Sequence, residues 1–279
     1  MDFTSAPRRA KPITVARGRL AGDALAIDAI ERLPDWASFE QLLARPGPWV
    51  GGLDFPFGLP RELVRDLGWP RTWPALVRHC AALGRERFRA ALDAYRMRRP
   101  AGAKYAHRAT DVPARSSSPM KLVNPPVGLM FFEGAPRLLA AGLAIPTLAP
   151  GRRSADARRV ALETYPGLLA RAITRAPYKN DAPAMQTAER AAARRRILAT
   201  IRSNASPLGI RLEASRTLLR AMRADATGDT LDAALCALLA AWGWRRRRAN
   251  YGMPHHVDPL ECWIIGAGAR WTRPPAARS

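Results

Sequence analysis

Lysine is scarce in this chain, acidic residues are few, and cysteine is nearly absent. Only four of the 45 lysine and arginine side chains are lysine (Lys11, Lys104, Lys121, Lys179), and they stand with 23 aspartates and glutamates, so the formal net charge is +22 at pH 7. Such an excess favours a polyanionic partner such as nucleic acid, since lysine and arginine contacts to phosphate dominate such binding. Arginine in place of lysine, beside abundant alanine and proline, also matches a GC-rich coding style. That style accounts for the arginines better than for the shortage of acids. The three cysteines (Cys80, Cys236, Cys262) are far apart and form no CxxC, which excludes a cysteine zinc site and a disulfide framework. The longest apolar stretch, residues 231–244, is too short for a bilayer and is broken by Asp232. No signal-peptide pattern opens the chain, so the expected compartment is the cytoplasm, with no membrane partner. There is no phosphate-binding P-loop and no GxGxxG between a strand and a helix. Ser116, Ser117 and Ser118 lack a nucleophile elbow, which removes serine-hydrolase chemistry.

What is present suffices for a large core. Hydrophobic residues make up 48% of 279, which suits one large domain or one domain with an insertion. Residues 12–20 and 24–33 read as the two strands of a hairpin around Gly22 and Asp23. Asp35 is a helix N-cap before Phe39, Leu42 and Leu43, and Pro46-Gly47-Pro48 stops that helix. Residues 49–53 are apolar throughout, as in a strand buried on both faces. Two helical stretches, 74–83 and 86–97, lead into a polar, proline-containing loop at 98–126, and residues 61–128 read as an insertion over the sheet edge. Residues 129–133 fit a strand or the start of a helix, and 136–144 favour helix. A strand at 159–165 ends at Pro166. Helices follow at 167–173, 182–202 and 231–242, with residues 261–265 as a closing strand.

Acids recur where these elements begin or end. Asp2 opens the chain, Asp54 ends the strand at 49–53, Glu163 lies near the end of a later strand, and Asp229 and Asp232 head the last helix. A carboxylate beside a core is costly unless something pairs with it. Asp229 and Asp232, three residues apart, share one helical face, where they repel unless protonated, hydrated or bridged by a cation. Mg²⁺ or Mn²⁺ suits such hard oxygen donors. Each acid also has a plainer reading: Asp229 as a helix cap after Gly228, Asp54 and Glu163 as turn residues, Asp232 as a solvated position. His107, beside Arg108 and Asp111, is a candidate general acid. His255 and His256 near Asp258 form a weaker metal candidate. The runs at 194–196 and 245–248 are candidate phosphate grips or solvated faces.

The order of the acids resembles the ribonuclease H-like fold of nucleases and polynucleotidyl transferases, in which acids from strand one, strand four and the last helix hold two Mg²⁺ ions. Asp229-Thr230-Leu231-Asp232-Ala233 resembles the DxxDA of Holliday-junction resolvases of the RuvC type. The chain is more closely similar to the family catalogued as domain of unknown function 429, through Asp2-Phe3-Thr4-Ser5-Ala6-Pro7, Gly52-Leu53-Asp54-Phe55-Pro56-Phe57-Gly58, Leu162-Glu163-Thr164-Tyr165-Pro166 and Asp229-Thr230-Leu231-Asp232-Ala233-Ala234. The resemblance implies an α/β protein with a mixed sheet flanked by helices, spanning 1–279 as one domain. It also implies a metal-dependent nuclease that cleaves phosphodiester bonds by a two-metal mechanism. Asp2, Asp54, Asp229 and Asp232 would be the metal ligands and Glu163 auxiliary. With only Met1 before Asp2, the expectation is a stub for the first strand or a start further upstream. A nucleic-acid-binding protein of the same fold without catalysis is the alternative. Phosphoryl transfer to a small molecule, as in sugar kinases with related sheets, is weakened by the lack of glycine-rich phosphate loops.

Overall fold

The computed structural model describes residues 1–149, 152–269 and 271. Strands β1 (Ile13–Ala21) and β2 (Ala24–Leu33) form the expected antiparallel hairpin, with a bulge between Arg17 and Gly18. Helix α1 (Trp36–Ala44) starts at Asp35, whose carboxylate accepts the Ser38 N–H at 2.8 Å. Strand β3 (Trp49–Leu53) follows. The next segment holds α2 (Arg61–Asp66), α3 (Trp73–Arg98) and the short α4 (Asp111–Ala114). Gly84 kinks α3 where two separate helices are predicted. Helix α5 (Val127–Ala141) runs through Pro136 and settles the ambiguity at 129–133 in favour of helix.

A short helix α6 (Arg152–Ala155) precedes strand β4 (Arg159–Glu163) and helix α7 (Pro166–Ile173). Helix α8 (Ala188–Ile201) begins later than the sequence suggests, after a 3-10 turn at Pro183–Met185. Strand β5 (Arg211–Ala214), which the sequence reading misses, leads into α9 (Arg216–Ala224) and α10 (Asp229–Arg245). The closing strand expected at 261–265 does not form. That segment is a series of turns with Cys262 in the left-handed region (φ 57°), and it meets the sheet through the Ile265 N–H to the Glu163 carbonyl at 2.9 Å.

The strands form two sets, one of three strands and one of two. In one, β1 pairs antiparallel with β2, and β2 pairs parallel with β5; in the other, β3 and β4 are parallel. Asp2 joins them, bridging antiparallel to Thr14 on β1 and parallel to Asp54 just beyond β3. The Asp2 N–H donates to the Thr14 carbonyl at 2.8 Å, and the Asp54 N–H donates to the Met1 carbonyl at 3.1 Å. The first residues therefore form the centre of the sheet, although they are too few to make a full strand.

A hydrophobic core lies on each face. Phe39, Phe88, Phe131 and Leu138 of α1, α3 and α5 pack with Met1, Phe3, Ile13 and Leu53 on one side. On the other, Ile197 and Leu235 of α8 and α10 pack with Ile27, Val160 and Leu162. Helix α10 is apolar around nearly its whole circumference and touches β1, β3, α7 and α9, as a central helix must. Each of its fully buried leucines contributes roughly 1.5–3 kcal/mol. Its approach to β3 depends on Gly52, where an added Cβ would stand 2.4 Å from the Cys236 carbonyl oxygen. All three cysteines are buried and free. Among the described residues, no helix is long and apolar enough to cross a membrane.

Candidate active site

Side chains alternate across a strand, and that alternation sorts the acids. Met1 and Phe3 point into the α1–α3–α5 core, so Asp2 points to the α10 face; Leu53 and Phe55 do likewise, so Asp54 joins it. The Asp2–Asp54 bridge sets the two carboxylates side by side. Asp232, completely buried one turn into α10, faces them from the helix. Burial of Asp232 excludes its reading as a solvated position. Asp229 is the first residue of α10 and largely buried. It is not the cap: Gly228 occupies that position in the left-handed region (φ 82°), and the Asp225 carboxylate accepts the Thr230 N–H at 2.8 Å.

The four aspartates act on one another. Burial pushes the Asp2 carboxyl well above its ordinary value; Lys179 opposes, and Asp232, Asp54 and Asp229 add to the rise. Asp54 is pushed up to about 7, first by burial, with Lys179 pulling it down and Asp232 raising it. Burial also raises Asp229, against Lys11. Neither the Asp2 nor the Asp54 carboxylate accepts a hydrogen bond among the described residues, whereas both oxygens of Asp232 are taken. Tyr178 Oη donates to Oδ1 at 2.5 Å, and Lys179 Nζ pairs with Oδ2. Burial works against the Lys179 ammonium, but Asp232, Tyr178 and Asp2 outweigh it and hold its pKa well above the usual lysine value.

Neither Tyr178 nor Lys179 is a site candidate in the sequence reading. They lie in the connection between α7 and α8, which is tied down at its backbone. Arg194 Nη1 donates to the Tyr178 carbonyl at 2.7 Å, Arg190 Nη1 to the Lys179 carbonyl at 2.9 Å, and the Asn180 N–H to the Ala226 carbonyl at 3.1 Å. Gly228 makes room for the lysine stem, since an added Cβ would meet Lys179 Cβ and Cδ at 2.8 Å. A signal was available in the composition. Two of the four lysines, Lys11 and Lys179, stand at this site in a chain that mostly uses arginine, as where a compact charge is required. Lys11 pairs with Asp181 at 2.5 Å in the same connection.

Glu163 is near enough for its charge to add to the rise of Asp54, but its carboxylate is bound elsewhere. It points to the opposite face, where Phe57 N–H donates to Oε2 at 2.9 Å and Arg108 donates to both oxygens at 2.7 and 2.9 Å. Burial pushes its carboxyl up and Arg108 pulls it back. Arg108 also grips Asp111 and the Glu261 carbonyl. His107, His255 and His256 are exposed, and Asp258 pairs with Arg61. Arg194 is buried, which removes it from the expected basic grip, while Arg195 and Arg196 are exposed. The run at 245–248 lies at the far end of α10, about 25 Å along the helix from the acids. There Arg246 stacks on Trp242 beside a cavity of about 450 Å³.

The donors suit a hard divalent cation. Asp2, Asp54, Asp229 and Asp232 offer carboxylate oxygens, and the buried Thr14 hydroxyl across the bridge from Asp2 has no partner. As they stand, however, no three His, Cys, Asp or Glu side chains among the described residues are grouped so as to hold an ion. The family described as protein of unknown function (DUF429) matches residues 8–256, which include Asp54, Glu163, Lys179, Asp229 and Asp232 and leave Asp2 outside. No curated protein and no solved structure matches the chain.

Proposed function

The chain belongs to the DUF429 family. From that membership and the convergence of its aspartates, we propose that the protein is a metal-dependent nuclease of ribonuclease H-like fold. One observation carries the reading: Asp2 and Asp54, bridged side by side, and the buried Asp232 of α10, all remote in sequence, lie on one face of the sheet. Counting the stub at Asp2 as the first strand, β3 is the fourth, so the acids come from strand one, the end of strand four and the last helix. Asp2, Asp54, Asp229 and Asp232 would hold Mg²⁺ or Mn²⁺. A bound ion would supply an activated water and offset the charge that develops on a phosphodiester. Glu163 acts as a positioning residue, fixing the Phe57 amide and through it the chain just after Asp54. Exposed Arg195 and Arg196 on α8 would meet the phosphate backbone. The buried free cysteines agree with a reducing compartment such as the cytoplasm.

The test is Mg²⁺- or Mn²⁺-dependent cleavage of a panel of single-stranded, duplex, hybrid and junction nucleic acids. Wild-type cleavage lost in Asp54→Asn and in Asp232→Asn, with folding retained, supports the reading. Undiminished cleavage in both variants would remove the site. A second reading, a nucleic-acid-binding protein without catalysis, is favoured by the Lys179–Asp232 pair, which already satisfies one of the acids. Salt-sensitive binding that needs no divalent ion, with no cleavage of any substrate, would select it.

A further inference from the structure

Lys179 is held by more than its ion pair. Its backbone carbonyl takes Arg190, the carbonyl before it takes Arg194, and its stem lies in the space that Gly228 leaves open. Its ammonium meets Asp232 Oδ2, and it acts on Asp2 and Asp54 as well. Tyr178 holds the other oxygen of Asp232. Asp232 is fully buried, yet 40% of the Lys179 side chain remains accessible. The lysine therefore closes the cluster from its solvent side, on a long and flexible stem.

We propose that Lys179 is a resident cation: it neutralises the aspartate cluster while no divalent ion is bound, and it must leave Asp232 before one can bind. This rests on the metal-site reading above and adds to it a positioning residue that sets how readily the site loads. Removing the ammonium has two opposite effects. The free protein loses the charge that holds Asp2, Asp54 and Asp232 together, and the divalent ion loses its competitor.

Calorimetric titration with Mn²⁺ alone, on the full chain, separates the possibilities. Lys179→Met should bind Mn²⁺ about tenfold more tightly than wild type, the equivalent of about 1.4 kcal/mol. Its thermal midpoint in EDTA should fall, and its rise on adding Mn²⁺ should exceed that of wild type. Lys179→Arg should bind no more tightly than wild type. Lys179→Gln, which keeps a stem against Gly228, takes the place of Lys179→Met if that variant does not fold. Tighter binding by the neutral variants, or binding by them where wild type binds none, supports the proposal. Wild-type binding that is equalled or weakened in the variants overturns it and leaves the metal site standing. No binding by wild type or any variant overturns both.

Discussion

Glu163 and Arg108 meet oxygen to nitrogen at 2.7 and 2.9 Å, both almost without solvent contact, and Arg108 extends the pairing to Asp111. The pair joins the end of β4 to the segment that follows α3. Removing one partner of a buried pair leaves the other charge uncompensated, at about 3–5 kcal/mol. Arg108→Ala should therefore unfold at markedly lower denaturant concentration than wild type. Arg108→Met combined with Glu163→Gln should lose much less than the sum of the single variants. Simple additivity in that cycle would show that the pairing is unimportant.

Asp54 makes stability depend on pH. Its carboxyl is raised from 3.8 to about 7 in the fold, so the folded protein favours the protonated form. The associated stability is fully present below about pH 4 and is lost as pH rises through about 7. Asp54→Asn is neutral at every pH. In EDTA it should melt close to wild type near pH 4 and a few degrees higher near pH 8, since about 1 kcal/mol moves the midpoint of a chain of this size by roughly 2–4 °C. Mg²⁺ should narrow that gap by stabilising wild type alone. An Asn variant less stable than wild type at alkaline pH without metal would contradict this.

Gly52→Ala places a methyl group 2.4 Å from the Cys236 carbonyl and 3.1 Å from the Ala240 Cβ. Helix α10 must shift away from β3, and overpacking of this kind costs roughly 1–3 kcal/mol. Thermal unfolding should show that loss. The same shift separates Asp232 from Asp54, so Mn²⁺ binding should weaken with it.

The arginines of α8 should divide by direction. Arg194 donates to the carbonyls of Tyr178 and Arg223, so Arg194→Ala should lower stability and leave the salt dependence of nucleic-acid binding unchanged. Arg195→Ala with Arg196→Ala should leave stability unchanged and flatten the plot of log affinity against log salt by about 0.9 for each phosphate no longer neutralised. The reverse pattern would reassign the binding face.

Local signals in the sequence were reliable where one residue decides the backbone. Asp35 and Pro46 bound α1, the 21–24 turn sets the hairpin, and the buried position of Asp232 follows from its place in an apolar helix. Pairings made across the chain left weaker traces. Strand β5 is four residues long and is defined by its partner β2. Glu163 lies one position from the α10 face, and only the pairing of β3 with β4 shows that it points the other way. Arg194 looks like its exposed neighbours until α9 and the 174–187 connection cover it. Residues 261–265 have strand-like side chains, but the left-handed backbone at Cys262 prevents a ladder. Lysine in an arginine-rich chain was the one compositional clue to Lys179.

Arg190 and Arg194 hold the 174–187 connection by its carbonyls, which every residue type carries. The path of that segment is thus insulated from changes in its own side chains. Positions such as 175–177 and 182–185 can drift by mutation without displacing Tyr178 and Lys179 from Asp232. The border of the acids can therefore vary while the core of the protein stays fixed.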